Sequence, residues 1–452
     1  MSDLSTIVKA YDVRGLVPDE LNPDIARALG AAFARFTGAT RIVTARDMRE
    51  SGVALSQAFA EGATGQGVDV VDAGLGATDL LYFASGKLDV PGAMFTASHN
   101  PARYNGIKLC LAGAKPVGQD TGLATIRAEA ERFLDEGIPP FAGTPGRVTH
   151  QEMLPAYAAY MKQLVPGLDG IRRLKVVVDA GNGMAGLTVP AVFDGLPVEL
   201  ISLYFELDGS FPNHEANPID PENLRDLQAA VREHDADLGL AFDGDADRCF
   251  VVDERGGIVP PSVLTALIAA RELRRVPGST IIHNLITSRA VPEIVRALGG
   301  TPVRTRVGHS FIKAEMARTG AVFGGEHSGH FYFREFWNAD SGMLAALHTL
   351  AALGETDGTL SALLSSYSPY VPSGEINSTV QDSTAKVAQI KAQYAGLEQD
   401  ELDGLTVTSP DGWWFNVRAS NTEPLLRLNV EGPDEASMAR VRDEVLELIR
   451  GQ

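Results

Sequence analysis

The sequence predicts an α/β protein made of several domains, and three features of the chain support this. Its 452 residues are about three times the length of one typical domain. Through the first three quarters of the chain, short runs of β-branched residues are repeatedly followed by a polar, Gly-rich loop and then by a helical pattern. Residues 368–452 instead combine alternating strands, a turn at Asp411 and Gly412, and flanking helices, which indicates an α+β domain.

Turn-rich segments predict where one domain ends and the next begins. They lie at residues 139–150, 253–257 and 365–376. We therefore expect domains at residues 1–149, 150–252, 253–367 and 368–452, of which the first three share a mixed α/β core. Within the first, the run RIVTA leads into a helix from Val53 to about Gly65. Since open α/β sheets bind ligands at loops leaving the carboxyl ends of strands, the polar motifs in such loops form the candidate site.

Composition and charge exclude several classes of protein. With 44% hydrophobic and 21% charged residues and a mean hydropathy of -0.01, the chain has the composition of a folded globular protein. The formal net charge of -19 repels nucleic acid and anionic membranes, so neither is an expected partner. The N-terminus lacks a signal-peptide core, and the longest apolar stretch, residues 342–354, is too short to cross a membrane. Two cysteines without a disulfide pattern favour a cytoplasmic location.

Three carboxylates, Asp243, Asp245 and Asp247, lie in a predicted strand-to-strand loop between the apolar runs LGLAF and CFVV. Carboxylate oxygens favour Mg²⁺ or Ca²⁺. The spacing also suits an EF-hand, but Arg248 occupies the position that needs Gly, and the flanking sequence is strand-like. We therefore predict a Mg²⁺ site with room for a phosphoryl oxygen. The alternative is a solvated acidic turn closed by pairing with Arg248.

Ser98 and His99 begin a polar loop directly after the apolar run GAMF. A serine exposed at a strand end could accept and donate a phosphoryl group beside Mg²⁺, while His99 could donate a hydrogen bond or transfer a proton. The alternative is an ordinary turn before Pro101. Lys108, further along the segment, would by itself be taken as an exposed lysine.

Two further loops carry polar groups that suit a phosphosugar. Residues 324–330 combine glycines with Glu326, Ser328 and His330, which could bind sugar hydroxyls and carry a proton. The alternative is a tight turn with surface histidines, and a histidine metal site lacks matching partners. Residues 418–424 combine a guanidinium, hydroxyls and an amide, which belong to Arg418, Ser420, Asn421 and Thr422. Such a set can surround a phosphate. The alternative is that these groups cap a helix.

Taken together, these motifs resemble those of the α-D-phosphohexomutase family along essentially the whole chain. The matching motifs are, in order, YDVRG, TASHNP, NGIK, DGDADR, GGEHSGH and RASNTEP. The resemblance implies four domains around a central cleft, with a mobile α+β cap as the fourth. It also implies an isomerase that moves a phosphoryl group between O1 and O6 of a hexose, using Mg²⁺, a phosphoserine and a hexose 1,6-bisphosphate.

The resemblance assigns roles to individual residues. Ser98 is the phosphoserine, and one of its oxygens joins Asp243, Asp245 and Asp247 around Mg²⁺. The residues expected to transfer protons or stabilise charge are Arg14, Lys108 and His330, beside His99. The residues expected to contact the substrate are Tyr11, Arg248, His309, Glu326, Ser328, Arg418, Ser420, Asn421 and Thr422.

Two positions bear on the subfamily and on the proton transfer. Many family members carry a lysine where this chain has Ile286, so the role of that lysine is not transferred; Arg289 or His283 could compensate. His327 follows Glu326, as in phosphomannomutases and the enzymes that act on both mannose and glucose phosphates. We therefore expect interconversion of mannose 6-phosphate and mannose 1-phosphate by a monomer or dimer.

Several alternative functions stay open at this point. Within the family they are a phosphoglucomutase or a phosphoglucosamine mutase. A metal-dependent phosphosugar phosphatase would use the same serine but transfer to water. A phosphosugar-binding regulatory protein is the alternative without catalysis.

Overall fold

The structure is a computed structural model that describes residues 2–419 and 425–451, apart from the side chain of His309. The chain forms two compact units. The first contains the residues up to Pro261 together with Ser328–Ser361, and the second contains Ser262–His327 and the residues from Ala362 onward.

The first unit begins with a mixed sheet covered by helices. Its strands are β1 (Val13–Leu16), β2 (Arg41–Arg46), β3 (Asp69–Leu75), β4 (Gly92–Phe95), β5 (Tyr104–Leu111), β6 (Lys115–Pro116) and β7 (Val148–His150). Its helices are α1 (Pro23–Thr37), α2 (Ser51–Thr64), α3 (Thr78–Leu88) and α4 (Leu123–Glu136). The strand order is β1-β5-β4-β2-β3-β7, with β6 beside β5. Strand β5 runs antiparallel to β4, so the polar loop between them turns back on itself.

A second mixed sheet follows in the same unit. Its strands are β8 (Leu174–Asp179), β9 (Val198–Leu203), β10 (Leu238–Phe242), β11 (Cys249–Asp253) and β12 (Ile258–Val259), and its helices are α5 (Leu154–Leu164), α6 (Ala185–Phe193) and α7 (Arg225–Glu233). The order is β12-β11-β10-β8-β9. Strands β10 and β11 form an antiparallel hairpin in which Phe242 faces Cys249. The aspartate-rich loop therefore joins two strands, as predicted, and the EF-hand alternative is excluded because no helix flanks it.

The second unit contains a parallel α/β segment with the order β14-β13-β15. The elements are α8 (Pro261–Arg275), β13 (Thr280–Asn284), α9 (Ala290–Ala297), β14 (Thr301–Thr305), α10 (His309–Thr319) and β15 (Phe323–Gly325). The chain then returns to the first unit through the hairpin of β16 (Phe331–Phe333) and β17 (Ala339–Asp340) and the helix α11 (Gly342–Gly354).

Helix α11 is the apolar stretch noted in the sequence, and every residue in it is buried. The Ser341 side chain caps its first turn by accepting a hydrogen bond from the Leu344 N–H. At its start, a Cβ on Gly342 would lie 2.7 Å from the Arg248 carbonyl carbon, so the helix packs directly on the aspartate-rich loop. Among the described residues, no helix combines the length and apolar character needed to cross a lipid bilayer.

The chain ends in an antiparallel sheet with two helices, which confirms the predicted α+β domain. After the short helix α12 (Leu360–Leu364), its elements are β18 (Val371–Thr379), α13 (Ser383–Gln393), β19 (Glu398–Asp400), β20 (Leu405–Thr408), β21 (Trp414–Ala419), β22 (Leu425–Gly432) and α14 (Glu435–Arg450). The strand order is β18-β22-β21-β20-β19. This domain has a hydrophobic core of its own, separate from those of the N-terminal and second sheets.

Candidate active site

Ser98 lies in the loop after β4 and faces the aspartate-rich loop of the second sheet. Its Oγ donates a 2.8 Å hydrogen bond to Asp243 Oδ2. Its backbone has a φ of 49°, in the left-handed region that few residues other than glycine adopt. Ser98 is only 6% exposed, so the expectation of an exposed serine is wrong. The reason is that Asp243 and Arg248, whose Nη2 lies 3.4 Å from Ser98 Oγ, cover it.

The three aspartates expected to bind Mg²⁺ converge in the loop between β10 and β11. One carboxylate oxygen from each of Asp243, Asp245 and Asp247 lies within 4.8 Å of the others, and all three residues are buried. Within the described part of the chain, Oδ1 of Asp245 and Oδ1 of Asp247 have no hydrogen-bond partner. Buried carboxylate oxygens without partners are costly, and a divalent cation suits them. The alternative of a solvated acidic turn is therefore wrong.

Two cationic side chains partly neutralise this cluster. Lys108 Nζ donates to Oδ2 of Asp245 and to Oδ2 of Asp247, both at 2.7 Å. Arg248 Nε donates to Asp243 Oδ2 at 2.9 Å. Burial raises the pKa of Asp243 to about 7, even though Arg248 opposes this. Burial would also raise the pKa of Asp245, but Lys108 and a hydrogen bond from Thr78 hold it below its usual range. Lys108 is thus an ion-paired residue and not an exposed one.

His99 sits beside Ser98 as a neutral imidazole. Burial, reinforced by the positive charges of Arg248 and Arg14, lowers the pKa of His99 to about 2. Its Nδ1 lies 2.5 Å from Arg248 Nη2 and 3.3 Å from Ser98 Oγ. Since a guanidinium can only donate, Nδ1 is the acceptor in that contact. His99 therefore holds Arg248 in place next to the Ser98 oxygen.

Arg14 reaches the same loop from β1. Its Nη1 donates to Asn100 Oδ1 at 2.6 Å, and its Nη2 donates to Asp12 Oδ2 at 2.5 Å. Tyr11 precedes this strand and is half-buried. The guanidinium of Arg14 thus adds positive charge to the loop that carries Ser98.

The predicted sugar loop contributes to both units. In the first, Ser328 Oγ lies 3.0 Å from His330 Nδ1, and His330 Nε2 lies 3.7 Å from Asp247 Oδ1. His330 therefore belongs to the group around the aspartates. In the second, the buried Glu326 accepts a 3.1 Å hydrogen bond from the Gly308 N–H through Oε1.

The predicted phosphate loop is described only at its start. Arg418 lies in β21 and is 9% exposed, and its Nη2 donates to Glu375 Oε2 at 2.7 Å. The backbone of His309 begins α10, but its side chain is not described. Residues 420–424 of the predicted loop lie outside the described part of the chain, and they include Ser420, Asn421 and Thr422.

The two residues suggested as substitutes for the missing lysine have other contacts. Arg289 donates to Gly412 O through Nη1 and to Glu293 Oε1 through Nε, each at 3.0 Å. His283 is buried, and burial lowers its pKa to about 4. The Arg289 guanidinium therefore connects Glu293 to Gly412 within the second unit, and His283 is held neutral.

Three residues that support the site were not found from the sequence. The first is Thr78, whose Oγ1 donates to Asp245 Oδ2 at 2.6 Å and whose backbone N–H donates to the Asp245 carbonyl. The second is Glu375, which orients Arg418 by accepting its hydrogen bond. The third is Arg49, which donates hydrogen bonds to backbone carbonyls of the Ser98 loop. Only Arg49 left a signal, since it belongs to the charge-rich segment RDMR, which begins with Arg46, the last residue of strand β2.

Sequence models of four domains match this chain in order. They are phosphoglucomutase/phosphomannomutase alpha/beta/alpha domain I at residues 5–134, domain II at residues 155–257, domain III at residues 260–370 and the C-terminal domain at residues 375–448. The match includes the serine loop, the aspartate-rich loop, the sugar loop and the segment after β21.

The similarity to known proteins covers almost the full chain. Phosphohexose mutases of Xanthomonas campestris pv. campestris are 41% identical over 98% of this chain and 99% of theirs. A phosphomannomutase of Escherichia coli is 40% identical over 98% of this chain and 99% of its own. The crystal structure of a phosphoglucomutase/phosphomannomutase family protein from Burkholderia thailandensis has a TM-score of 0.87 and 34% identity, and it covers 99% of this chain and 98% of that one.

The resemblance inferred from the six motifs is therefore confirmed. The domain matches follow one another in the order of the four predicted domains, and the α/β class with an α+β C-terminal domain agrees with the observed sheets. With a buried serine facing three converging aspartates in a chain that matches over nearly its whole length, this protein belongs to the phosphoglucomutase/phosphomannomutase family.

Proposed function

We propose that this protein is a phosphomannomutase, an isomerase that interconverts mannose 6-phosphate and mannose 1-phosphate. The observation that carries the proposal is the 2.8 Å hydrogen bond from Ser98 Oγ to Asp243, inside a cluster of three buried aspartates. Relatives about 40% identical over nearly the full chain are named phosphomannomutases, which supports mannose phosphates as substrates. One relative, from Pseudomonas syringae pv. tomato, is named phosphomannomutase/phosphoglucomutase, so glucose phosphates are the first alternative.

The aspartate cluster suits Mg²⁺ because the oxygens Oδ1 of Asp245 and Asp247 are buried and lack hydrogen-bond partners in the described structure. Asp243, Asp245 and Asp247, with an oxygen of phosphorylated Ser98, would hold the ion. When bound, Mg²⁺ would neutralise charge on the phosphoryl group. Arg248 adds a fixed positive charge 3.4 Å from the same serine oxygen.

In the first half-reaction, phospho-Ser98 donates its phosphoryl group to the free hydroxyl of the bound hexose phosphate. The bond between phosphorus and Ser98 Oγ breaks as a bond to O6 or O1 of the sugar forms, which yields hexose 1,6-bisphosphate. His330 faces Asp247, and we assign to it the uptake and return of the hydroxyl proton. Burial would lower the pKa of Lys108, but Asp245 and Asp247 raise it well above its usual value, so we assign to Lys108 the stabilisation of charge. His99 stays neutral and keeps Arg248 against Ser98.

In the second half-reaction, the bisphosphate has turned around and Ser98 takes back the other phosphoryl group. The non-reacting phosphate must therefore be held equally well from either end of the sugar. We assign this to Arg418 with Ser420, Asn421 and Thr422. The sugar hydroxyls are assigned to Glu326 and Ser328, and further substrate contacts are assigned to Tyr11, Arg14, Arg248 and His309.

A coupled assay tests this function. Mannose 1-phosphate or glucose 1-phosphate is supplied with Mg²⁺ and a trace of hexose 1,6-bisphosphate, and the 6-phosphate product and free phosphate are measured together. Ser98→Ala should abolish turnover, whereas Ser56→Ala, a matched change in helix α2, should leave it unchanged. Isomerised mannose phosphate without free phosphate supports the proposal.

The other outcomes point to the alternatives. A higher rate with glucose phosphate would make the protein a phosphoglucomutase. Stoichiometric free phosphate would make it a phosphatase. No change in any hexose phosphate would favour a binding protein.

The domain limits 1–149, 150–252, 253–367 and 368–452 stay predictions, as do the cytoplasmic location and the oligomeric state, monomer or dimer. Size-exclusion chromatography with light scattering distinguishes the two oligomeric states directly.

A further inference from the structure

Arg49 is a charged residue buried next to the nucleophile without touching the reacting oxygen. It lies between β2 and α2 and is 1% exposed. Burying a guanidinium is costly unless its donors find acceptors. The contacts of Arg49 therefore indicate what its charge is used for.

The guanidinium donates hydrogen bonds to backbone carbonyls of the loop that carries Ser98. Nη2 donates to Ser98 O at 2.9 Å and to Asn100 O at 2.6 Å. Nη1 donates to Pro101 O and to Tyr104 O, both at 2.9 Å. Four carbonyls of one short segment thus converge on one side chain.

Arg49 is itself held in a fixed orientation. Its Nε donates to Asp47 Oδ2 at 3.2 Å, and Asp47 Oδ1 accepts from the Arg49 backbone N–H at 2.9 Å. The ring of Phe211, from the segment after β9, lies 5.1 Å from the guanidinium carbon. With the Asp47 contact, the number of acceptors equals the five N–H donors of a guanidinium.

This arrangement bears on the strained backbone of the loop. Ser98 has a φ of 49°, a conformation that persists only when surrounding contacts impose it. In that conformation Ser98 directs its carbonyl at Arg49 and its Oγ at Asp243. A lysine has three donors on one nitrogen and cannot reach all four carbonyls in this plane.

We propose that Arg49 is a positioning residue: it clamps the Ser98 loop so that the serine oxygen faces the aspartates, and it thereby directs the phosphoryl group to the sugar and not to water. The second part of this inference rests on the function proposed above. The first part, the clamp, does not depend on it.

The test compares Arg49→Lys with Arg172→Lys. Arg172 is a matched control because it also donates to backbone carbonyls, those of Thr356 and Gly358, and pairs with one aspartate, Asp237, far along the chain from the Ser98 loop. Amide hydrogen exchange of residues 96–106 is measured without substrate. Mutase turnover, KM and the ratio of free phosphate to isomerised sugar are measured in the same preparations.

We expect Arg49→Lys to accelerate amide exchange in residues 96–106. It should lower kcat by about 100-fold, the effect of displacing a reacting group by roughly 1 Å, and change KM much less. The ratio of free phosphate to sugar product should rise. Arg172→Lys should alter none of these. If Arg49→Lys does not fold, Phe211→Leu, which keeps all five hydrogen bonds but removes the ring under the guanidinium, should produce the same changes at smaller size.

Equal exchange in the two lysine variants, or in Phe211→Leu and wild type, overturns the clamp. Faster exchange with unchanged kcat and unchanged phosphate ratio overturns the positioning role. A wild-type protein inactive on every hexose phosphate would count against the proposed function, while the exchange comparison would still decide whether Arg49 holds the loop.

Discussion

At the scale of single residues, the site depends on polar side chains that hold the clustered aspartates in place. Thr78 is fully buried, and its Oγ1 donates to Asp245 Oδ2 at 2.6 Å. This hydrogen bond leaves Oδ1 of Asp245 without a partner in the described structure. Such outer contacts orient a ligand and tune its affinity for a metal.

Thr78→Val should therefore weaken Mg²⁺ binding by about 10- to 100-fold, because it removes the hydroxyl while keeping the shape of the side chain. Isothermal titration with Mg²⁺ measures this directly. Thr64→Val is the control, since the Thr64 hydroxyl donates to the backbone carbonyls of Ala60 and Glu61 within helix α2. Equal Mg²⁺ affinities in the two variants would contradict the role assigned to Thr78.

A second residue links three distant segments of the first unit. Asp79 Oδ2 accepts hydrogen bonds from Tyr157 at 2.8 Å and from Ser341 at 2.6 Å. Burial raises the pKa of Asp79 from 3.8 to about 7. The folded state thus favours the protonated carboxyl.

The sign of the resulting pH dependence follows from that shift. A raised folded-state pKa contributes stability that is fully present below pH 3.8 and is lost as the pH rises through about 7. For a fully buried carboxyl the loss is on the order of 4 kcal/mol. Asp79→Asn cannot ionise, so its melting temperature relative to wild type should rise between about pH 4 and about pH 7, the interval between the unfolded and folded pKa values.

Thermal unfolding across this pH range measures the difference, and only its change with pH matters, since the amide also alters hydrogen bonding at every pH. Asp169→Asn, at an exposed position, is the control. A difference between wild type and Asp79→Asn that stays constant from about pH 4 to about pH 7 would refute the assignment.

At the scale of elements, the hairpin of β10 and β11 brings the aspartates against the Ser98 loop. A Cβ on Gly244 would lie 2.5 Å from Ser98 O, which is closer than such atoms approach. Glycine at this position therefore permits the contact between the two loops. Local patterns predicted this hairpin, but not how closely its turn approaches the Ser98 loop.

Gly244→Ala should push the two loops apart, lower turnover by about 100-fold and weaken Mg²⁺ binding. Gly170→Ala is the matched control, since a Cβ there meets no atom within 4 Å. Turnover and Mg²⁺ titration of both variants test this. Normal Mg²⁺ affinity and turnover in Gly244→Ala would mean that the loops can separate without consequence.

At the scale of the whole molecule, the separate hydrophobic cores imply unfolding in more than one step. Leu428 is fully buried in the core of the C-terminal sheet. Leu428→Ala should destabilise that domain by about 2–5 kcal/mol. In calorimetry, one transition should move to lower temperature while the others stay.

The exposed Leu402, in the same domain, provides the control as Leu402→Ala. Hydrogen exchange identifies which segments belong to the transition that moves. If all transitions moved together in Leu428→Ala, the C-terminal core would not be an independent unit.

The sequence predicted the features that depend on local pattern. It did not predict contacts between residues that lie far apart in the chain. Strand and loop order, the hairpin at Asp243 and the α+β C-terminal domain follow from periodicity and turn residues. That Ser98 meets Asp243, 145 positions away, came only through the family resemblance. Arg49 and Thr78 escaped notice because their partners are carbonyl and carboxylate oxygens whose positions exist only in the folded chain.

The first unit is discontinuous, and this has a consequence for the order in which the nascent chain can fold on the ribosome. Asp79 and Ser341 are 262 positions apart, a delay of roughly 13 to 50 s at ordinary rates of translation. Until α11 has emerged, the surfaces that it will cover remain open to water and to chaperones. The first unit is therefore completed only after α11 has been made, although Ser98 and the aspartates precede that helix in the sequence.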